Sequence, residues 1–147
     1  MRRIRLCLIM LGAATVGVSA AEGPVVLKDL PAPVQATVKA ETAGSTIKGL
    51  SKETEHGVTL YEVETVKNGL SRDLLVTKDG TIAEVEEQIA LSTAPPAVQQ
   101  ALSKQGQLLK LERVTARDAT TYEAHVQRAG KKQSVTLDES GRVVPPQ

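Results

Sequence analysis

An internal repeat is the feature that most constrains what this chain can fold into, because residue types recur in the same order at a fixed distance. For Pro31, Val34 and Gln35 that distance is 64 residues, and from Ile47, which aligns with Leu108, it is 61 residues without a further gap. A colinear set with two tyrosines and two turn glycines indicates a duplication, and it predicts one unit at residues 28–88 and another at residues 93–145. The matching pairs are Pro31 with Pro95, Val34 with Val98, Gln35 with Gln99, Leu50 with Leu111, Tyr61 with Tyr122, Glu62 with Glu123, Gly69 with Gly130 and Gly80 with Gly141.

Each unit opens with a segment that predicts a short helix. Asp29 and Thr93 hold equivalent positions just before the prolines, and we predict that they are the N-caps. The apolar residues that would face the sheet recur four apart on one helical face, as Val34 with Val38 and as Val98 with Leu102. Helices of about three turns are weak in isolation, so packing must hold them.

Four strands are predicted to follow each helix. In the first unit Asn68-Gly69 is a strong hairpin signal, because a type I′ turn needs positive φ at both central residues. That turn places Tyr61 opposite Val76, and Gly80 predicts the left-handed residue of the next loop. The alternation of apolar and polar residues along these strands agrees with that register.

The second unit repeats the pattern. A turn at Gly130 places Tyr122 opposite Leu137, and the three-residue spacing of Ile47 and Leu50, like that of their counterparts, predicts a β-bulge. The sequence therefore predicts an α+β fold of two tandem units, each a short helix packed on a four-stranded antiparallel sheet. We expect the two units to pack against each other.

The first twenty residues have the layout of a secretory signal. Three arginines, Arg2, Arg3 and Arg5, precede the apolar run of residues 6–18, and small residues then end at Ala20. The apolar run is too short to span a bilayer, which needs about 20 residues. We predict a signal peptide at residues 1–20, cleaved after Ala20 or, alternatively, Ala21. The mature protein is then periplasmic or secreted and keeps no stable membrane anchor.

Composition excludes several classes of function for the exported chain. Cys7, the only cysteine, lies inside the signal, so the mature chain has no thiol, disulfide or cysteine metal ligand. Without the signal, fifteen basic residues face seventeen acidic ones, and the only aromatic residues are Tyr61 and Tyr122. A chain with neither a basic stripe nor stacking platforms is not expected to bind nucleic acid.

The helix openings, tyrosine strands and turn glycines together resemble the PepSY-like family, also described as beta-lactamase-inhibitor-like. The resemblance implies an exported α+β module, often in tandem copies, that binds or inhibits a protein. It covers nearly all of the mature chain, and its motifs are structural. They are residues 29–35 (DLPAPVQ), 61–64 (YEVE) and 78–82 (KDGTI), matched by residues 94–99 (APPAVQ), 122–124 (YEA) and 139–143 (ESGRV).

No residue pattern predicts an enzyme or a metal centre. His56 precedes a predicted loop glycine and His125 lies on the polar sheet face, and two distant histidines without cysteine do not make a zinc site. No nucleophile elbow accompanies the serines. We therefore predict no catalytic residue, no cofactor and no metal site.

One acidic cluster leaves two interpretations open. Glu84, Glu86 and Glu87 lie on one predicted strand, and Glu62 and Glu64 lie on a neighbouring one. Several carboxylates can capture calcium, but charged side chains also commonly blunt exposed strands. The second interpretation is favoured, and the first supports an alternative function as a periplasmic small-ligand or metal-ion sensor.

The leading hypothesis is a non-catalytic binding or regulatory module of the cell envelope whose partner is an envelope protein. Strand alternation places Leu60 and Leu75 on the sheet face opposite Tyr61, where the second unit has Thr121 and Thr136. Three interpretations of these leucines are open: ordinary exposed leucines, a contact with the other unit, or a protein-binding patch. The predicted interaction surface comprises Leu60, Leu75, Glu62, Glu64, Glu123 and His125.

Overall fold

In a computed structural model, which describes residues 23–55, 57–117 and 119–145, the chain forms one antiparallel sheet of eight strands. The strands lie side by side in chain order. They are β1 (Gly23–Pro24), β2 (Thr46–Glu55), β3 (Val58–Lys67), β4 (Leu70–Thr77), β5 (Ile82–Gln88), β6 (Gln107–Ala116), β7 (Ala119–Arg128) and β8 (Lys131–Asp138). The helices are α1 (Ala32–Glu41) and α2 (Pro96–Leu102). The predicted signal peptide and His56 lie outside the described residues.

The prediction of two tandem units, each with its own four-stranded sheet, is wrong. β5 pairs with β6, with Glu86 opposite Val114 at the centre of the contact, so both parts of the chain share one sheet. An isolated bridge between Leu137 and Val143 stands where a further strand was predicted. Two separate sheets would each expose unpaired strand edges, and joining β5 to β6 removes two of those edges. We call residues 28–88 the first half and residues 93–145 the second half.

Each helix begins at a proline rather than at the predicted side-chain cap. Asp29 and Thr93 end 3-10 turns, and the N-cap positions are Pro31 and Pro95, which make no side-chain capping bond. The fixed φ of proline suits a helix start, and its missing N–H is not needed there. A glutamine in each helix fastens the helix to the turn before it: Gln35 Nε2 donates to Leu30 O (2.9 Å) and Gln99 Nε2 to Ala94 O (2.8 Å).

The predicted turns and registers are confirmed in the first half. Asn68 and Gly69 have φ of 53° and 80°, as a type I′ turn requires. Tyr61 lies opposite Val76, and Gly80 has the expected left-handed φ of 88°. Local turn chemistry therefore sets the register of β3 and β4.

The second half has the same register at equivalent positions. Tyr122 lies opposite Leu137, and the turn before β8 has positive φ at Ala129 and Gly130. The predicted bulges are present in both halves, between Ile47 and Gly49 in β2 and between Leu108 and Lys110 in β6.

The two helices cover one face of the sheet, and each covers its own apolar cluster. Tyr61 and Tyr122 are 8% and 5% exposed, which confirms that both tyrosines belong to the core. Removal from water raises the pKa of the Tyr122 hydroxyl, and the nearby Glu139 acts in the same direction. The cluster under α1 contains Leu30, Val34, Val38, Tyr61, Val63, Leu74 and Val76, and the cluster under α2 contains Ala94, Val98, Leu102, Leu111, Tyr122, Ala124, Val126 and Leu137.

A glycine in each half lets a hairpin loop touch the helix. A β-carbon on Gly80 would lie 2.9 Å from the carbonyl oxygen of Pro33, and one on Gly141 would lie 2.5 Å from that of Ala97. Both glycines also have positive φ, so a side chain would be strained twice over. In the first half Thr37 Oγ1 donates to Gly80 O at 2.7 Å, which fastens the loop to α1.

Ion pairs on the helix-covered face join the two halves. Glu87 of β5 accepts from Arg113 of β6 at 2.5 Å and from Arg72 of β4 at 3.2 Å. Arg72 also reaches Glu41 at the end of α1 at 2.8 Å. The Arg113 hydrogen bond, with a smaller contribution from Arg72, lowers the pKa of the Glu87 carboxyl. This chain of charges spans the strand contact that merges the halves.

Within the part of the chain that the structure describes, neither helix has the length and apolar character needed to cross a membrane.

Candidate functional site

The face of the sheet that α1 and α2 leave uncovered, which we call the open face, is the candidate site. Strand register places every residue of the predicted interaction surface on it: Leu60, Glu62, Glu64, Leu75, Glu123 and His125. The structure therefore brings these residues to one face of one sheet. It distributes them over β3 and β4 in the first half and over β7 in the second.

Leu60 and Leu75 lie on the open face but are not exposed. They are 7% and 5% exposed, so the interpretation as ordinary surface leucines is wrong. Glu62 and Glu84 lie directly opposite Leu75 on the two neighbouring strands, and the stems of long charged side chains can cover apolar surface. The result is an apolar floor beneath a carboxylate surface.

Carboxylates face each other across neighbouring strands in the first half. Glu64 of β3 lies directly opposite Asp73 of β4, and Asp73 lies directly opposite Glu86 of β5. Like charges at directly opposite positions destabilise a sheet by about 0.2–1 kcal/mol per pair. Three carboxylate oxygens, one each from Asp73, Glu86 and the buried Glu112, lie within 4.8 Å of one another.

The acidic cluster predicted from sequence is divided between the two faces. Glu84 and Glu86 point to the open face, where a shallow hollow is lined by Glu62, Asp73, Leu75 and both of them. Glu87 lies on the other face, in the ion pairs described above. A strand reverses its side chains at every residue, so neighbouring glutamates cannot all join one site.

In the second half, the chain's own cation lies among the carboxylates of the open face. Lys110 Nζ is 2.7 Å from Glu112, whose side chain is 2% exposed. His125 Nε2 lies 3.6 Å from Glu112 and 3.8 Å from Glu123. The ring's Nδ1 is 3.0 Å from Ser134 Oγ.

Ser134, His125 and Glu112 follow the order of a hydrolytic triad without its supporting geometry. A triad also needs donors aimed at the oxyanion that forms above the serine. The serine and the histidine lie on paired strands, β8 and β7, whose amide groups lie in the plane of the sheet and not above its face. The amide groups of these two paired strands are therefore not aimed at the place where an oxyanion would form above Ser134.

Sequence reasoning missed Asp73, Glu112 and Lys110 as members of this face. Asp73 could have been found, since the correctly predicted hairpin already places it opposite Glu64. Glu112 and Lys110 lie opposite Glu123 and His125 through the pairing of β6 with β7. They come beside the carboxylates of the first half only through the pairing of β5 with β6, which the sequence does not indicate. That pairing brings the second half's charges beside those of the first.

Solved structures that are similar in fold include three Bacteroides proteins. A candidate periplasmic protein of Bacteroides eggerthii is 19% identical with a TM-score of 0.63, over 80% of this chain and 88% of its own. A DUF2874 family protein of Bacteroides uniformis is 18% identical with a TM-score of 0.61, over 78% and 86%. A BLIP-like protein of Bacteroides fragilis is 18% identical with a TM-score of 0.58, over 79% and 84%.

Sequence comparison adds nothing to these structural likenesses. No family model matches the chain, and no curated protein matches it significantly. Identities below one fifth show a shared fold and leave activity open. The chain is thus similar in fold to beta-lactamase-inhibitor-like and DUF2874 proteins.

Proposed function

We propose that this protein is an exported, non-catalytic module that binds another protein through its open face. One observation carries the proposal: the open face runs across the strand contact between the halves, with a buried apolar floor under exposed and half-exposed charges. A partner can reach the charged and polar side chains above this floor, which resemble the polar contacts of a protein interface. Leu60 and Leu75 form the floor, and Glu62, Glu64, Glu123 and His125 are the polar residues.

The signal-like first twenty residues and the names of the similar structures support export. Two of those proteins are described as periplasmic or BLIP-like, and the second description also agrees with binding to a protein. N-terminal sequencing of the protein recovered from a cell envelope should begin at Ala21. A chain that keeps Met1 would contradict export with cleavage.

Photo-crosslinking tests the binding function directly. A photoreactive residue at Glu64 samples the open face, and the matched control at Ala36 samples the exposed side of α1. Exposed to an envelope extract and irradiated, the Glu64 variant should form an adduct of one defined mass that the Ala36 variant lacks. Equal adducts at both positions, or an adduct at Ala36 alone, would show that the open face is not the binding surface.

The alternative function, a periplasmic metal-ion sensor, would use the grouped oxygens of Asp73, Glu86 and Glu112. Three carboxylates are fewer oxygen ligands than Ca²⁺ usually takes, and Lys110 already places a positive charge beside Glu112. Calorimetric titration with Ca²⁺ separates the two functions. Binding at micromolar concentration that Asp73→Asn abolishes would favour the sensor, and no heat would favour the protein-binding module.

A further inference from the structure

Charge is unevenly distributed over this nearly neutral molecule. Among the residues with described side chains, eight carboxylates lie on the open face of β2–β7, and the lysines there are Lys110 and the bulge residue Lys48. Elsewhere in the described chain, lysines and arginines outnumber carboxylates. The eight are Glu53, Glu62, Glu64, Asp73, Glu84, Glu86, Glu112 and Glu123. A surface of one sign attracts a partner of the opposite sign and steers its approach.

The second half shows how a cation fits among these carboxylates. Lys110 lies opposite His125, directly after the bulge in β6, and its ammonium group is 2.7 Å from Glu112. In the first half a glycine, Gly49, holds the equivalent position opposite Glu64. A β-carbon on Gly49 would lie 3.1 Å from Glu64 Oε2, so the glutamate carboxylate lies over the glycine. The first half thus has a glycine where the second half has a lysine.

The hollow of the first half suits the charged end of a long cationic side chain. Leu75 lies between Glu62 and Glu84 on the neighbouring strands, and Asp73 and Glu86 line the same hollow. Leu75 itself is only 5% exposed, so a partner meets the carboxylates that surround it. Arginine can also bind a carboxylate through two parallel hydrogen bonds.

Resting on the proposed function, we infer that the partner presents a lysine- or arginine-rich segment, which docks on the first half of the open face. The lysines or arginines of the segment form ion pairs on the surface made by Glu62, Glu64, Asp73, Glu84 and Glu86. Lys110 forms such a pair with Glu112 in the second half.

A labelled lysine–serine repeat peptide, measured by fluorescence anisotropy against the mature chain, tests the class of partner. The double variant Glu64→Gln, Glu86→Gln neutralises the open face, and the matched control Asp29→Asn, Glu139→Gln removes the same net charge elsewhere. The open-face variant should bind about tenfold more weakly than wild type, and the control within about twofold of wild type. Binding should also weaken strongly in about 0.5 M NaCl.

The outcomes separate this inference from the proposed function. Equal losses in both double variants would show attraction to net charge and overturn the site. A wild-type chain that ignores the peptide but still forms the Glu64 adduct in envelope extract would overturn the class of partner and leave the binding function standing. Displacement of the peptide by micromolar Ca²⁺ would assign the carboxylates to a metal ion instead. Thermal unfolding of every variant confirms that the sheet is intact.

Discussion

The two halves of this molecule are alike under the helices and different on the open face. Beneath α1 and α2, tyrosine matches tyrosine and aliphatic residues match aliphatic residues, as Val76 matches Leu137. On the open face, the residues that differ include Gly49 against Lys110, Ser51 against Glu112, Leu60 against Thr121, Glu64 against His125, Asp73 against Ser134, and Leu75 against Thr136. Packing constrains the covered face of both halves, whereas the open face is free to acquire a different chemistry in each.

Truncating the core tyrosines should have the largest effect and should show that the covered faces are equivalent. Tyr61→Ala and Tyr122→Ala are each expected to lower the free energy of unfolding by about 3–5 kcal/mol, as for large aromatic core truncations. Urea denaturation followed by circular dichroism measures the loss. Losses below about 1 kcal/mol for both would mean that the faces of the sheet are assigned the wrong way round.

The loop glycines test whether both helices are held by the same contact. Gly80→Ala and Gly141→Ala should each cost about 2–4 kcal/mol, because the new β-carbon meets a helix carbonyl oxygen and the backbone has positive φ. Gly69→Ala is the matched control, with similar φ and nothing within 4 Å of the new carbon, and should cost only about 1–2 kcal/mol. Equal losses in the free energy of unfolding at all three positions would show that contact with the helix does not cause them.

Neutralising one member of the carboxylate row should distinguish the open faces. Glu64→Gln removes a like charge directly opposite Asp73 and is expected to stabilise the chain by about 0.2–1 kcal/mol. The equivalent change in the second half, His125→Gln, removes no pair of opposed carboxylates, because His125 lies opposite Ser134 on one neighbouring strand and Lys110 on the other. A destabilising Glu64→Gln would mean that the carboxylate row supports the fold.

Acid should weaken the junction between the halves by a small amount. The pKa of Glu87 is lowered in the folded state, chiefly by the Arg113 hydrogen bond. Its stabilisation is therefore present above the unfolded-state pKa and is lost as the pH falls through the folded-state pKa. Glu87→Gln should cost less than about 1 kcal/mol at neutral pH and nothing at low pH. A loss of stability that is the same at neutral and at low pH would show that the ion pairs of Glu87 are not its source.

Local features of the fold could be predicted from sequence, and the way the halves join could not. Asn68-Gly69 and Gly80 fix two turns through backbone conformation alone, so the register of Tyr61 and Val76 followed. The contact between β5 and β6 joins two strands that α2 separates along the chain. No local pattern in residues 84–88 indicates which strand β5 pairs with. The predicted caps at Asp29 and Thr93 are wrong because these residues end 3-10 turns, and Pro31 and Pro95 occupy the N-cap positions instead.

The residues that share the open face could be predicted only where the strands that carry them could be predicted. Alternation placed Leu60, Glu62 and Glu64 on one face, and the structure agrees. It could not give the burial of the two leucines, because burial depends on the side chains of β2 and β5 on either side. Nor could it bring Glu112 beside Asp73 and Glu86, since that contact belongs to the merged sheet.

The most direct test of the docking surface is to give the first half the cation that the second half already has. Gly49→Lys places an ammonium group beside Glu64, and the matched control Ala36→Lys adds the same charge on the exposed side of α1. We predict that Gly49→Lys weakens binding of the lysine–serine peptide about tenfold, while Ala36→Lys changes it less than about twofold. Equal affinities for the two lysine variants, with both chains folded, would contradict a docking surface on the first half of the open face.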